Sequence, residues 1–172
     1  SGSFWAVDLL AEYGMVGVSN LEKALENNSP RQILAVMGAF AAMGATANDA
    51  EESIVRMAQH ASPPIRAAAA QSLASIGIKP AKLSSLIEPL LNDKNLTVRQ
   101  SAVASLRKSP EAAAEQLGKL NDLLNDPDPG IRENALLAIA STGKQASDLV
   151  EEVAMLLADS TPTVQMAAIN TL

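Results

Sequence analysis

An arginine recurs at a spacing of 33 residues, as Arg66, Arg99 and Arg132, and Gln165 takes the next step. The surroundings keep the same step. Ile65, Val98, Ile131 and Val164 precede these register residues, Ala69, Ala102, Ala135 and Ala168 follow three positions on, and Leu73, Leu106, Ile139 and Leu172 follow at the seventh. One step upstream the register falls on Ile33, with Phe40 at the seventh position and Gly44 standing where Gly77 and Gly143 stand later. A fixed period of this size marks a stack of like supersecondary units, because one such unit cannot bury its apolar face alone. It fixes an architecture and says little about chemistry.

Each step reads as two helices. Leu86, Ile87, Leu90 and Leu91 form a helical stripe, Asn92 to Asn95 interrupt it, and Val98, Ala102, Val103 and Leu106 resume it. Leu117, Leu120, Leu123 and Leu124, a break at 125–130, then Ile131, Ala135, Leu136 and Ile139 repeat the pattern, as do Leu149, Val153, Leu156 and Leu157 before Val164, Ala168 and Ile169. The spacing predicts an all-α fold: about five two-helix repeats in one right-handed superhelical array without strands. Residues 48 per cent hydrophobic but only 2 per cent aromatic suit helices packed through small side chains better than sheets. The expected repeats are 19–47, 48–80, 81–109, 110–143 and 144–172, with 4–14 as a partial repeat ahead of them in a single array 4–172.

Start and stop signals agree with this division. Ser29-Pro30, Ser62-Pro63, Asp128-Pro129 and Thr161-Pro162 each place a capping oxygen before a proline, and Asn95 keeps the cap without the proline. Gly44, Gly77 and Gly143 are the expected helix stops. Ser19 with Glu22, Asn48 with Glu51, and Ser147 are the expected caps of first helices. Pro89 falls inside a first helix, which must start late, near Ser85, or kink. Ser1-Gly2-Ser3 resembles an expression-tag remnant and is set aside. Phe4 to Tyr13 reads as a second helix without its partner, and Leu172 ends a helix ahead of its glycine stop. The expectation is therefore an interior piece of a longer array, able to self-associate through uncapped ends.

The stretches Asp93-Lys94-Asn95-Leu96-Thr97-Val98-Arg99-Gln100-Ser101-Ala102 and Asp126-Pro127-Asp128-Pro129-Gly130-Ile131-Arg132-Glu133-Asn134-Ala135 carry a turn aspartate, then a β-branched residue and arginine six positions later, then alanine. In this the chain resembles the HEAT repeats, in particular the short variety of phycobilisome lyase subunits, over residues 19 to 172. The departures are Asn27, Ile33, His60 and Gln165. The resemblance implies an ARM/HEAT-type solenoid whose second helices line a concave face. Positions one, five and nine after the register residue then give Gln71, Ser75, Gln100, Ala104, Lys108, Glu133, Leu137 and Ser141 as the candidate binding face. Ala39, Ser72, Ser105 and Ala138, at the sixth position, are small enough for close helix approach.

The recurrent charges have a structural reading. If each arginine meets the next repeat's aspartate, the rungs are Arg66–Asp93, Arg99–Asp126 and Arg132–Asp159, and the two uncharged departures, Ile33 and His60, fall on one rung. Pairing within repeats would instead set Arg66 beside His60 and Asp159 beside Gln165. The forward ladder leaves no charge orphaned, the cheaper arrangement for groups that are partly buried.

Little else suggests chemistry. His60 is the single histidine and has no ligand-spaced Cys, Asp or Glu. Glu51-Glu52 and Glu151-Glu152 suit helix first turns, where the dipole favours acids. Trp5 and Tyr13, with Phe4, Val7 and Leu10, read as a packing face. There is no cysteine for a disulfide or thiolate site. A net charge of −6 and a pI near 4.8 argue against a nucleic-acid binder. The most apolar run, Ala35 to Ala47, is shorter than a membrane span and broken by glycines. The expectation is a non-catalytic protein-interaction scaffold with no cofactor and no metal, whose partners are proteins rather than nucleic acid or membrane, and for which the cytoplasm is favoured. The alternative is an accessory repeat domain or subunit of an enzyme, such as a bilin-lyase-like subunit or the repeat tail of a hydrolase such as a sulfatase. A nucleic-acid-reading helical repeat, like the HEAT-like DNA glycosylases, would need a basic concave surface.

Overall fold

Proline sets where most second helices begin. Its fixed φ suits the first helical turn, and its missing N–H costs nothing there. In the computed structural model, which describes residues 15–25 and 29–172, helices start at Pro30, Pro63, Pro129 and Pro162. All regular structure among the described residues is helical. The expected partial repeat at 4–14, with Trp5 and Tyr13, and the departure Asn27 lie outside the described residues. The chain divides into two compact units, residues 1–79 and 80–172.

In the first unit the helices are α1 (Met15–Lys23), α2 (Pro30–Met43), α3 (Glu51–Ala58) and α4 (Pro63–Leu73). Met37, Phe40, Ile54, Ile65 and Leu73 are fully buried, and α4 packs on both α2 and α3. The sixth-position residues Ala39 and Ser72 are buried where helices approach, and Ser72 Oγ donates to Met37 O of the preceding second helix at 2.8 Å. Two cap expectations fail here. Helix α1 already runs through Ser19, so no capping box forms, and Glu22 instead accepts from Ser53 Oγ at 2.6 Å, tying α1 to α3. Asn48 lies in a 3₁₀ turn, Gly44–Ala50, and α3 starts after Ala50 with no side-chain cap. Gly44 and Gly77 have φ of 57° and 75°, and a Cβ on Gly77 would stand 3.1 Å from Ala45 Cβ, so backbone sign and close approach both demand glycine.

The stretch Pro30–Ala58 is long and apolar enough, by length and composition, to cross a bilayer. It is broken at Gly44, and its longest α-helix has 14 residues, which span about 21 Å against a hydrocarbon core of about 30 Å. Met37, Ala39, Phe40, Ala47 and Ile54 within it are fully buried in the core of the first unit.

The second unit holds α5 (Pro80–Leu91), α6 (Leu96–Leu106), α7 (Pro110–Glu115), α8 (Leu117–Leu123), α9 (Pro129–Ser141), α10 (Val150–Met155) and α11 (Pro162–Thr171). Second helices follow one another, α6 on α9 and α9 on α11. Helix α5 starts at Pro80, so the late start near Ser85 does not occur, and Pro89 is accommodated two residues from its end. The first helix of repeat 4 is two pieces, broken at Gln116, whose buried Nε2 donates to Ser84 Oγ at 2.8 Å. Ser147 caps nothing: it sits in a second 3₁₀ turn, Gly143–Leu149, which matches Gly44–Ala50. Thr171 Oγ donates to Leu136 O at 3.3 Å, repeating the Ser72–Met37 bond in register.

Candidate functional site: the turn ladder and the second-helix face

The register residue has a role that arginine and glutamine share. Arg66 Nη1 donates to His60 O (2.8 Å), Arg99 Nη1 to Asp93 O (3.0 Å), Arg132 Nη1 to Asp126 O (2.8 Å) and Gln165 Nε2 to Asp159 O (2.7 Å). Each side chain thus holds a carbonyl six residues back in its own turn. The turn residue also acts twice. Asp93, Asp126 and Asp159 each accept the backbone N–H two residues on, at 2.8 Å, and His60 Nδ1 does the same for Ser62 at 3.0 Å. His60 therefore serves as an acceptor that fixes the turn. Ser62 and Thr161, expected as side-chain caps, make no cap bond; their N–H groups are held by these preceding acceptors. Asn95 and Asp128 do cap, accepting from Val98 and Ile131 respectively.

Across repeats, Arg132 grips Asp159 through two hydrogen bonds, Nε to Oδ2 at 2.8 Å and Nη2 to Oδ1 at 2.9 Å. Arg99 faces Asp126 more loosely: Nε lies 3.5 Å from Oδ2 and has no hydrogen-bond partner. Arg66 and Asp93 belong to different compact units. The sequence could not tell the tight rung from the loose one, since both repeats carry the same pair of residue types.

The hydrogen bond from Arg132, opposed by desolvation and helped by the Thr161 backbone N–H, holds the Asp159 carboxyl below its ordinary 3.8, and the same contact raises Arg132. A depressed folded-state pKa contributes stability that is complete above the unfolded value and lost as pH falls through the folded one. Stability should therefore drop below about pH 4, and the drop should be shallower in Asp159→Asn. Urea midpoints between neutral pH and the acid limit measure this. The Arg132 shift lies too far into alkali to matter.

The candidate face lies on second helices and on the turns after them, since Ser75 and Lys108 fall past the ends of α4 and α6. Gln71 and Lys108 are exposed; Ser75, Gln100, Ala104, Glu133, Leu137 and Ser141 are half-buried. In the second unit α6 packs on α9; Gln100 lies on the first, Glu133, Leu137 and Ser141 on the second and Lys108 in the turn after α6, whereas Gln71 and Ser75 belong to the first unit. Cross-repeat hydrogen bonds stitch this region: Gln100 Nε2 to Asp128 Oδ1 at 3.3 Å and Arg107 Nη1 to Asn134 Oδ1 at 3.0 Å. Arg107 and Asn134 were not anticipated; they sit eight and two positions after their register residues, off the one-five-nine series. Glu51-Glu52 and Glu151-Glu152 do occupy first turns.

A family model described as HEAT repeats matches residues 18–107, more than half of the chain. The chain belongs to the HEAT-repeat family. Among solved structures it is similar to a designed armadillo repeat protein in complex with the peptide (KR)4, at TM-score 0.69 and 19% identity, covering 96% of this chain and 88% of that one. An engineered protein gives TM-score 0.70 at 22% identity over 91% and 78%. The complex of CpcE and CpcF of phycocyanin lyase from Nostoc sp. PCC7120 gives TM-score 0.66 at 19% identity over 91% and 98%. At such identities the likeness is one of fold: an all-α HEAT- and armadillo-type repeat. No curated protein matches the sequence.

Proposed function

We propose that the chain is a non-catalytic scaffold that binds protein partners along the second-helix face of α6 and α9. The observation that carries this is how the polar groups are used. The recurrent charges and the single histidine are taken up by the turn framework, while Glu133 and Leu137 on α9 and Lys108 in the turn after α6 present a mixed face that is not fully buried. Side chains positioned on packed helices are held more precisely than side chains on loops. Neighbours of the same fold support the reading: one is solved with a peptide, another as a complex of two proteins.

The second pairing favours an accessory role beside an enzyme as the other reading, since CpcE and CpcF form a phycocyanin lyase. A photo-crosslinking residue tests both. Placed at Leu137 or Lys108, it should trap a protein partner in the native host, and placed at Glu88 or Asp122 on first helices it should not. Trapping a catalytic subunit would select the accessory reading. Trapping only from the first helices would refute the proposed face.

A further inference from the structure

We propose that His60 is a proton-operated latch on the turn that starts α4, closed while the imidazole is neutral and opened when it takes up a proton. The turns compare position by position. Asp93, Asp126 and Asp159 each accept the backbone N–H two residues on through a carboxylate oxygen, at 2.8 Å, whereas His60 accepts the Ser62 N–H through Nδ1, at 3.0 Å. An ionised carboxylate has several lone pairs, but a neutral imidazole has a single acceptor nitrogen. The Ser62 N–H therefore fixes the tautomer, with the ring proton on Nε2. A second proton can enter only at Nδ1, so proton and turn compete for one lone pair.

The surroundings set a charged ring against the closed turn. Arg66 Nη1 donates to His60 O at 2.8 Å and Ala61 O at 3.0 Å, so the turn already holds one cation. The turn also precedes the N-terminus of α4, where the helix dipole favours an anion and opposes a cation. Ser62 supplies no side-chain cap to that helix. Of the elements packed on α4, α3 ends near Arg56, whose Nη2 bonds Ser53 Oγ at 3.1 Å, and carries Glu51 and Glu52 in its first turn, at the other end. Helix α2 has the buried, apolar Ile33 at its register position and one charged residue, the exposed Arg31. Asp93, at the matching turn position one step on, belongs to the second unit. Histidine is the side chain whose charge changes between about pH 5 and pH 8. A bond made only by the neutral ring is complete at the alkaline end of that window and lost as pH falls through it. Mild acid thus loosens the start of α4 while the turns held by aspartate stay closed.

Nuclear magnetic resonance of the whole chain tests this. At about pH 8 the His60 ring should show the Nε2–H tautomer. On acidification to about pH 5.5, as the ring charges, protection of the Ser62 amide against hydrogen exchange should fall about fivefold or more. Protection of the Asn95, Asp128 and Thr161 amides, which carboxylates hold, should not change over the same window. His60→Asp installs the acceptor of the other turns, and His60→Asn offers an amide oxygen that accepts at any pH. Each should keep Ser62 protected throughout. The window lies above the acid loss expected at Asp159, so the two effects are read separately. An Nδ1–H tautomer, a ring that charges while Ser62 stays protected, or a fall that persists in both variants would each overturn the proposal.

Discussion

Phe40→Ala should lower the unfolding free energy by about 3–5 kcal/mol, the largest effect expected of any single truncation here. Phe40 is fully buried at the seventh register position, where the other repeats carry Leu73, Leu106 and Ile139. Removing the ring forfeits its transfer free energy and leaves a cavity that helices tied by hydrogen bonds cannot fully close. The Ser72–Met37 bond and the Gly77–Ala45 approach both hold the neighbouring backbone in place. Phe40→Leu, which installs the side chain native to repeats 2 and 3, should cost less than about 1.5 kcal/mol. Chemical denaturation of the three proteins measures both. An alanine variant as stable as the leucine one would mean the site collapses freely.

Arg132→Ala should cost about 2–3 kcal/mol, more than Arg99→Ala. The substitution removes three donors to Asp159 and Asp126 and leaves a carboxylate that is 7% exposed without its counter-charge. The Asp159 carboxylate still accepts from the Thr161 N–H, so the turn itself should survive. The pair is covered by its immediate neighbours but lies near the surface of a thin repeat, which keeps the cost below that of a deeply buried pair. At Arg99 the weaker contact, 3.5 Å with an unbonded Nε, leaves less to lose. Asp159→Asn should fall between wild type and Arg132→Ala, since the amide oxygen still accepts.

What was legible in the sequence followed from the period. The 33-residue step placed the second helices, their proline starts, the glycine stops and the buried sixth positions, because those depend on backbone sign, a missing donor and side-chain volume at fixed spacing. First helices were read less well. Their starts are made by 3₁₀ turns after Gly44 and Gly143 rather than by the Asn48 and Ser147 side chains, and no residue type announces a 3₁₀ turn. The serine and threonine caps misled for a related reason. A hydroxyl before a proline is an ordinary cap, yet Ser62 and Thr161 make no cap bond, whereas the amide of Asn95 and the carboxylate of Asp128 at the same register position do. Polar residues within first helices, Ser53, Ser84 and Gln116, were passed over, although each interrupts an apolar stripe and each makes a cross-repeat bond. Arg107 and Asn134 lie off the one-five-nine series, and the long Arg107 side chain, past the end of α6, reaches the Asn134 amide in the next repeat.

In the second unit charge ties repeat 3 forward to repeat 4 and repeat 4 to repeat 5, while the same register side chains tie their own turns through a backbone carbonyl. A double-mutant cycle separates the two. Coupling between Arg132→Ala and Asp159→Ala should be about 1 kcal/mol or more, and between Arg132→Ala and Asp126→Ala below about 0.5 kcal/mol, because the latter keeps the carbonyl that Arg132 binds. The reverse ranking would contradict the forward ladder and place the ion pairs within repeats.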